Sequence, residues 1–418
     1  MKKALIITEI DYKKAPNDRV QHLIEYFSHK FEEVTVVYRK RNVTNSLKNL
    51  FLLQITTFQE KNIRFIEIDP LLNYSMGLVG SFTGYNLTNR SSIKSAFIKI
   101  FCFFSFIKDI FLVLSLIVSI PCKIKDKFDV CIYQNPWEGT ISFLLKRLGR
   151  VKFIVYDNID YLPVLTKFRT FYTKWVDKYL LNKADLIICV SKKLCQLRKL
   201  QTKRKVYIVP NGVNHALFKP AQNKILHPPT LIYTGNVTHW SGLDLVIHSL
   251  AGIKKKIQNI RLFIVGASFP ATYGEGLKEI SARLNLEENV VFVGVKGYAE
   301  LPVFLKEADI GLAFFQPVPL RQYAFPLKVV EYMSAGLPVI GTKDTETEEI
   351  INEYKCGQAI EFTKKAFVES ICSLLTDKDK YDYFSSNAKK YSPQFDWNNV
   401  LEKEYLLIKN LHLTKITM

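Results

Sequence analysis

The sequence predicts an α/β protein made of two doubly wound halves. Short continuous apolar runs recur along the chain, and stretches with helical spacing separate them, which is the pattern of parallel sheets covered on both faces. At 418 residues the chain exceeds one ordinary core, so two domains are expected. With 48% hydrophobic and 23% charged residues it has the composition of a globular protein.

The elements follow in order. The run 4–8 is the first strand, and 19–31 has helical spacing. Strands are expected at 34–38, 64–68, 130–133, 152–156 and 185–190, completing the first half. A second series is expected at 206–209, 230–233, 262–265, 290–293, 310–313 and 338–340. The basic stretch Arg198 to Lys205 reads as the join. The division is thus 1–203, then 204–390, with 391–418 as terminal helices.

Lysine and arginine outnumber aspartate and glutamate by 58 to 39, a net charge of +19. Such a chain is drawn to polyanions: nucleic acid, anionic headgroups or phosphorylated substrates. No nucleic-acid-binding signature accompanies the charge, so a nucleic acid partner is not expected. The seven cysteines lack a CxxC pair, and Met1-Lys2-Lys3 opens no secretory signal, so reduced thiols and a cytoplasmic location are expected. The seven histidines lack metal-binding spacing, and no metal or other cofactor is expected. Ser95 to Pro121 is strongly apolar but broken by Lys99, Lys108 and Asp109. It reads as a helix in the membrane interface, beside Lys123, Lys125 and Lys127, or as a buried helix, with a full membrane span as the weaker alternative.

Five stretches carry the chemistry. In "VPNGVNHALFKP" and "YTGNVTHWSGLDLVI", glycine loops follow strands, Gly212 allowing an unusual backbone angle at the strand's end, and they mark Asn211, Gly235 and Asn236. A helix opening after such a loop offers free N–H groups to an anion. "LFIVGASFPATYGEGL" and "VVFVGVKGYAELPVFLKEADIGLAFF" follow. The last, "FPLKVVEYMSAGLPVIGT", places Lys328 and Glu331 on one helix face just after Pro326 and Leu327. A solvated surface pair is the plain alternative. Ser334-Ala335-Gly336 is small enough for helix and sheet to approach closely.

In this order the stretches resemble nucleotide-sugar glycosyltransferases of the GT-B fold, family 4 and its relatives, well over about 180–360 and in topology only before that. The resemblance implies two Rossmann-like domains facing a cleft, nucleotide sugar on the second and acceptor on the first, with Tyr391 to Ile408 crossing back. It implies that Lys328 meets the diphosphate of a UDP- or GDP-sugar and that Glu331 meets the ribose. The net charge, the interrupted apolar stretch and the lysines beside it point to work at the inner face of the cell membrane without crossing it, on a lipid-linked sugar or polysaccharide acceptor. Many members carry a second glutamate eight positions earlier, where this chain has Tyr323, and an Arg and a Lys where it has Asn236 and Ser241. Pro-Leu-Lys-Val-Val-Glu-Tyr is similar to a subgroup that includes the xanthan-type glucuronosyltransferases. The resemblance leaves retention or inversion open.

In the first half, Asp157 and Asp160 follow a strand and are candidate bases or acceptor ligands, with helix capping as the alternative. Asp18 and Arg19 follow the first strand and are candidates for donor phosphate or acceptor, Arg19 with local pairing as the alternative. Glu138 ranks below these, and His239 and Trp240 are candidates to line the nucleotide site. A non-catalytic GT-B subunit of a polysaccharide assembly complex is the rival reading, and a basic nucleic-acid-binding protein a weaker one.

Overall fold

The computed structural model describes residues 1–11, 18–39, 54–69, 120–161, 170–219 and 228–414. The chain divides into two compact units. The first comprises Met1–Cys189, Cys195–Val209 and Leu401–Met418; the second comprises Val190–Leu194 and Pro210–Val400.

The first unit carries β1 (Lys3–Thr8), β2 (Glu33–Arg39), β3 (Gln54–Glu60), β4 (Ile63–Asp69), β5 (Phe128–Tyr133), β6 (Val151–Asn158), β7 (Leu186–Cys189) and β8 (Val206–Ile208). They form one sheet in the order β3-β4-β2-β1-β5-β6-β7-β8. All neighbours are parallel except the β3–β4 pair. The second unit carries β9 (Thr230–Thr234), β10 (Arg261–Val265), β11 (Val290–Gly294), β12 (Ile310–Ala313), β13 (Val339–Thr342) and β14 (Gly357–Ile360). Its sheet runs β11-β10-β9-β12-β13-β14, parallel throughout.

The described helices, in chain order, are α1 (Arg19–Ser28), α2 (Pro136–Arg147), α3 (Thr170–Leu181), α4 (Lys192–Gln201), α5 (Leu243–Lys254), α6 (Ala271–Arg283) and α7 (Leu301–Lys306). Then come α8 (Pro319–Tyr323), α9 (Leu327–Ser334), α10 (Glu346–Tyr354), α11 (Lys364–Thr376), α12 (Lys378–Tyr391) and α13 (Trp397–Thr414). Their faces are cut by apolar spacing. In α1, for example, Val20, Leu23, Ile24 and Phe27 are buried, a stripe at helical period.

Both sheets are doubly wound, and each has a point where strand order reverses. In the first it lies between β1 and β5, in the second between β9 and β12. Ligands of such sheets bind beyond the strand carboxyl ends at this point.

Three expectations need correction. Val206 does not open the second series: β8 pairs with β7 and ends the first sheet. The presumed basic join is not a linker, since its first residue, Arg198, is fully buried in α4 and paired with Asp177. Gly212 needs no unusual backbone angle. It is small because a Cβ there would come 2.6 Å from the Trp397 ring. The last helix does return to the first unit from Leu401 onward, where Tyr405 packs edge-on against Phe27 and Phe31. The apolar stretch from Ser95 lies outside the described residues up to position 119. Among the described residues no helix is long and apolar enough to cross a membrane.

Candidate functional site

The second unit's reversal point is built by two glycine loops and one helix. After the wholly buried β9, Gly235 turns the chain at φ +113° and donates its N–H to the Val265 carbonyl at 2.8 Å. Gly266, at φ +150°, ends β10 so close by that a Cβ would lie 1.9 Å from the Gly235 carbonyl oxygen. Only glycine fits there. The buried hydroxyls of Thr238 and Ser268, one in each loop, have no hydrogen-bond partner.

Helix α9 opens after Pro326, which serves as its N-cap, and closes at Gly336 in the left-handed conformation, φ +75°. Gly336 N–H bonds the Met333 carbonyl and Leu337 N–H the Tyr332 carbonyl, a Schellman stop. Gly336 is therefore a helix terminator; close helix–sheet approach is achieved at Gly311, where a Cβ would meet the Tyr332 ring at 2.3 Å. The Tyr332 hydroxyl accepts the Thr234 N–H at 3.0 Å and donates to the Leu312 carbonyl at 3.4 Å. One side chain thereby fixes α9 against the ends of both β9 and β12.

That anchoring places Lys328 over the reversal point. Its Nζ lies 3.7 Å from the Tyr233 ring centroid, on β9, and 4.6 Å from that of Phe315, just beyond β12. A Cβ on Gly235 would come 3.3 Å from the same nitrogen. The Arg321 guanidinium, on α8, lies 4.6 Å from the Phe315 centroid. Two cations thus share one ring. Burial, then the Arg321 charge, holds the Lys328 ammonium well below the ordinary lysine pKa, with Glu331 opposing. Glu331, one turn along the buried face, has its carboxyl pushed up to about 7 by burial against the pull of Lys328. Both groups are buried at a cost, and among the described residues neither has an ion pair. Such groups mark sites awaiting a ligand of complementary charge.

The other expected residues of the second unit differ in exposure. Pro326 is buried and Leu327 is exposed at the helix start. Tyr323 ends α8, half-buried, and its carbonyl accepts from Ser191 Oγ at 2.6 Å. Asn236 is exposed, its carbonyl accepting the Tyr233 hydroxyl at 2.7 Å, and Asn211 is half-buried after β8. His239 is exposed and packs on Tyr273 with centroids 4.4 Å apart, while Trp240 is half-buried. Sequence reasoning missed Tyr233, Phe315, Tyr332 and Arg321. For Arg321 the available signal was a lone cation shortly after the β12 apolar run.

In the first unit two of the expected site residues meet each other. Arg19 is 4% exposed and Asp157 is fully buried, and they pair with each other, Nε to Oδ1 at 3.1 Å and Oδ2 at 2.9 Å. Arg19 Nη2 also bonds Glu404 at 2.5 Å, and Gln134 Nε2 bonds Asp157 at 3.2 Å. Arg19 thus takes the pairing alternative, between two buried carboxylates, and Asp157 accepts hydrogen bonds on both oxygens. The network ties α1 and β6 to α13. Burial raises the Glu404 carboxyl above its ordinary range. Asp18 caps α1, accepting the Val20 N–H. Glu138 accepts the Gln134 and Asn135 N–H groups at 3.0 Å each and closes the start of α2; burial raises its pKa to about 8. Asp160, just past β6, is exposed, and its carbonyl accepts from Asn158 Nδ2 at 2.7 Å.

Residues 216–391 match the family model "Glycosyl transferases group 1", and residues 96–217 match "Glycosyltransferase Family 4". The putative teichuronic acid biosynthesis glycosyltransferase TuaH of Bacillus subtilis is 28% identical over 248 residues, 56% of this chain and 59% of that protein. The chain spans a little over half the length of the curated relatives it matches. Among solved structures, sucrose-phosphate synthase from Thermosynechococcus elongatus superposes with TM-score 0.70 at 17% identity, covering 99% of this chain and all 100% of that one. HepE from Anabaena, in complex with UDP, gives TM-score 0.67 at 16% identity over 98% and 100% of the two chains.

Proposed function

We propose that the chain is a GT-B glycosyltransferase resembling family 4, and that it moves a sugar from a nucleotide-diphosphate sugar to a hydroxyl of a lipid-linked sugar or polysaccharide. Its curated relatives are named as glycosyltransferases of polysaccharide and glycolipid synthesis, and the finer assignment of donor and acceptor is our reading. The observation that carries it is the position of Lys328 Nζ at the second reversal point, between Tyr233 and Phe315 and beside Arg321.

As the sugar–phosphate bond breaks, positive charge develops on the sugar and negative charge on the departing diphosphate. Lys328, Arg321 and the first N–H groups of α9 supply the matching positive field. In this reading Arg321 provides a cation that Asn236 and Ser241 do not. Glu331 accepts the ribose hydroxyls, and Tyr323 takes the place of an acid near the donor sugar. Asp160 is the remaining candidate for the acceptor's proton once Asp157 is assigned to Arg19. The protein works at the inner face of the membrane without crossing it.

Calorimetry with UDP, GDP and their sugars, followed by turnover with labelled donor, tests this reading. Submillimolar binding of one nucleoside diphosphate with transfer to a glycolipid acceptor is expected. Binding without any turnover would favour a non-catalytic subunit, and no binding would overturn the site.

A further inference from the structure

We propose that helices α2 and α3 of the first unit form a docking face for an anionic lipid bilayer, which deepens the reading that the protein works at a membrane. The pattern of α3 is unusual. Val176, Asp177, Leu180 and Leu181 turn inward, while Lys174, Trp175, Lys178 and Tyr179 turn outward. Trp175 is 63% exposed and Tyr179 44%, large aromatic surfaces that a soluble helix ordinarily covers.

These rings are held in place. Trp175 stacks on Tyr179 with centroids 6.0 Å apart at 14°, and Tyr179 meets Phe143 of α2 edge-on at 6.1 Å. Lys183 Nζ lies 5.3 Å from the Tyr179 centroid and 5.5 Å from that of Phe143, and the Arg147 guanidinium lies 5.7 Å from Phe143. Cations and rings therefore stand at one level on the surface.

The face is also one-signed. Asp177, on α3, is buried and paired with Arg198, and Asp185 is taken by Lys146. Among the described residues no carboxylate pairs with Arg147, Lys174, Lys178 or Lys183. Tryptophan and tyrosine favour the headgroup level of a bilayer, and each lysine or arginine there gains from anionic lipid. Single-stranded nucleic acid is the other polyanion to weigh, but it needs open ring faces for its bases. Here Tyr179, though 44% exposed, has Trp175 stacked beside it and the Lys183 ammonium 5.3 Å from its centroid, which leaves only the Trp175 ring as an open platform among the described residues of this face. The charge and ring arrangement thus fits lipid.

The test is co-sedimentation of the full chain with phosphatidylcholine vesicles, with and without phosphatidylglycerol, at low and high salt. Wild type should bind only the anionic vesicles, and salt should weaken it. Trp175→Ala with Tyr179→Ala, and separately Lys174→Glu with Lys178→Glu, should each cut partitioning by about tenfold or more. Their thermal midpoints should stay unchanged, because the substituted side chains are exposed. A lipid-induced blue shift of tryptophan emission should disappear in Trp175→Phe. If both double variants bind like wild type while Lys123→Glu with Lys125→Glu and Lys127→Glu does not, this face is wrong and the membrane reading stands. If wild type ignores anionic vesicles, both fall. Capture of single-stranded RNA in preference to vesicles, lost in the same variants, would overturn lipid as the occupant.

Discussion

At the residue scale the second unit's site is two charges held where neither is comfortable. Lys328→Ala should weaken nucleoside diphosphate binding tens-fold, since a charged hydrogen bond to phosphate contributes ~1.5–3 kcal/mol. Calorimetry checks this, and unchanged affinity would make Lys328 a surface residue. Glu331 has a pKa raised to about 7. Its contribution to stability is therefore fullest below the ordinary carboxylate range and is lost as pH rises through about 7. Glu331→Gln should accordingly raise the thermal midpoint more at pH ~8 than at pH ~5. It should also narrow the preference for UDP over 2′-deoxy-UDP, or for the matching GDP pair. A preference that survives intact would remove Glu331 from the ribose. Asp157→Asn should instead destabilise the fold by ~3–5 kcal/mol, because it leaves the buried Arg19 half-paired. Asp160→Asn should leave stability alone and, if Asp160 is the base, slow turnover by ~10²–10⁴-fold. Denaturant titration beside single-turnover kinetics separates the two.

At the scale of elements the site depends on how closely two loops can press together. Gly266→Ala would drive a Cβ into the Gly235 carbonyl, so it should lower both stability and nucleotide affinity. Gly276→Ala, on α6 with open space around it, should stabilise by ~0.5–1 kcal/mol and leave binding unchanged. Thermal melts with and without UDP or GDP would show both. Most strands were legible because their apolar runs are continuous, as in 230–233 and 262–265. The edge strand β3, Gln-Ile-Thr-Thr-Phe-Gln-Glu, was not read, because a hairpin edge alternates polar and apolar residues. Helix α9 was legible from Pro326 at its start and the i, i+3 pair. Arg321 and Phe315 were not, because strand register, rather than local spacing, brings them to Lys328. The pairing of Asp157 was not legible for a related reason. An acid at a strand end looks the same in sequence whether it faces a ligand or an arginine 138 positions away.

At the scale of the whole molecule, two sheets of the same design carry different burdens. The first unit's strand ends hold a buried ion network that fastens the terminal helix through Glu404, and an outward face of rings and lysines. The second unit's strand ends hold the charges of Lys328 and Glu331, which have no ion pair among the described residues. The central claim is that this charge awaits a nucleoside diphosphate, and proton linkage tests it most directly. Lys328 is depressed and Glu331 raised in the free protein, so a bound diphosphate should raise the pKa of Lys328 and a ribose bonded to Glu331 should lower that of Glu331. Calorimetry of UDP or GDP binding over a pH series from about 6 to about 10, in buffers of different ionisation enthalpy, reads both exchanges. Lys328→Met should shift the balance towards net release and Glu331→Gln towards net uptake. Proton exchange identical in wild type and both variants would contradict the account.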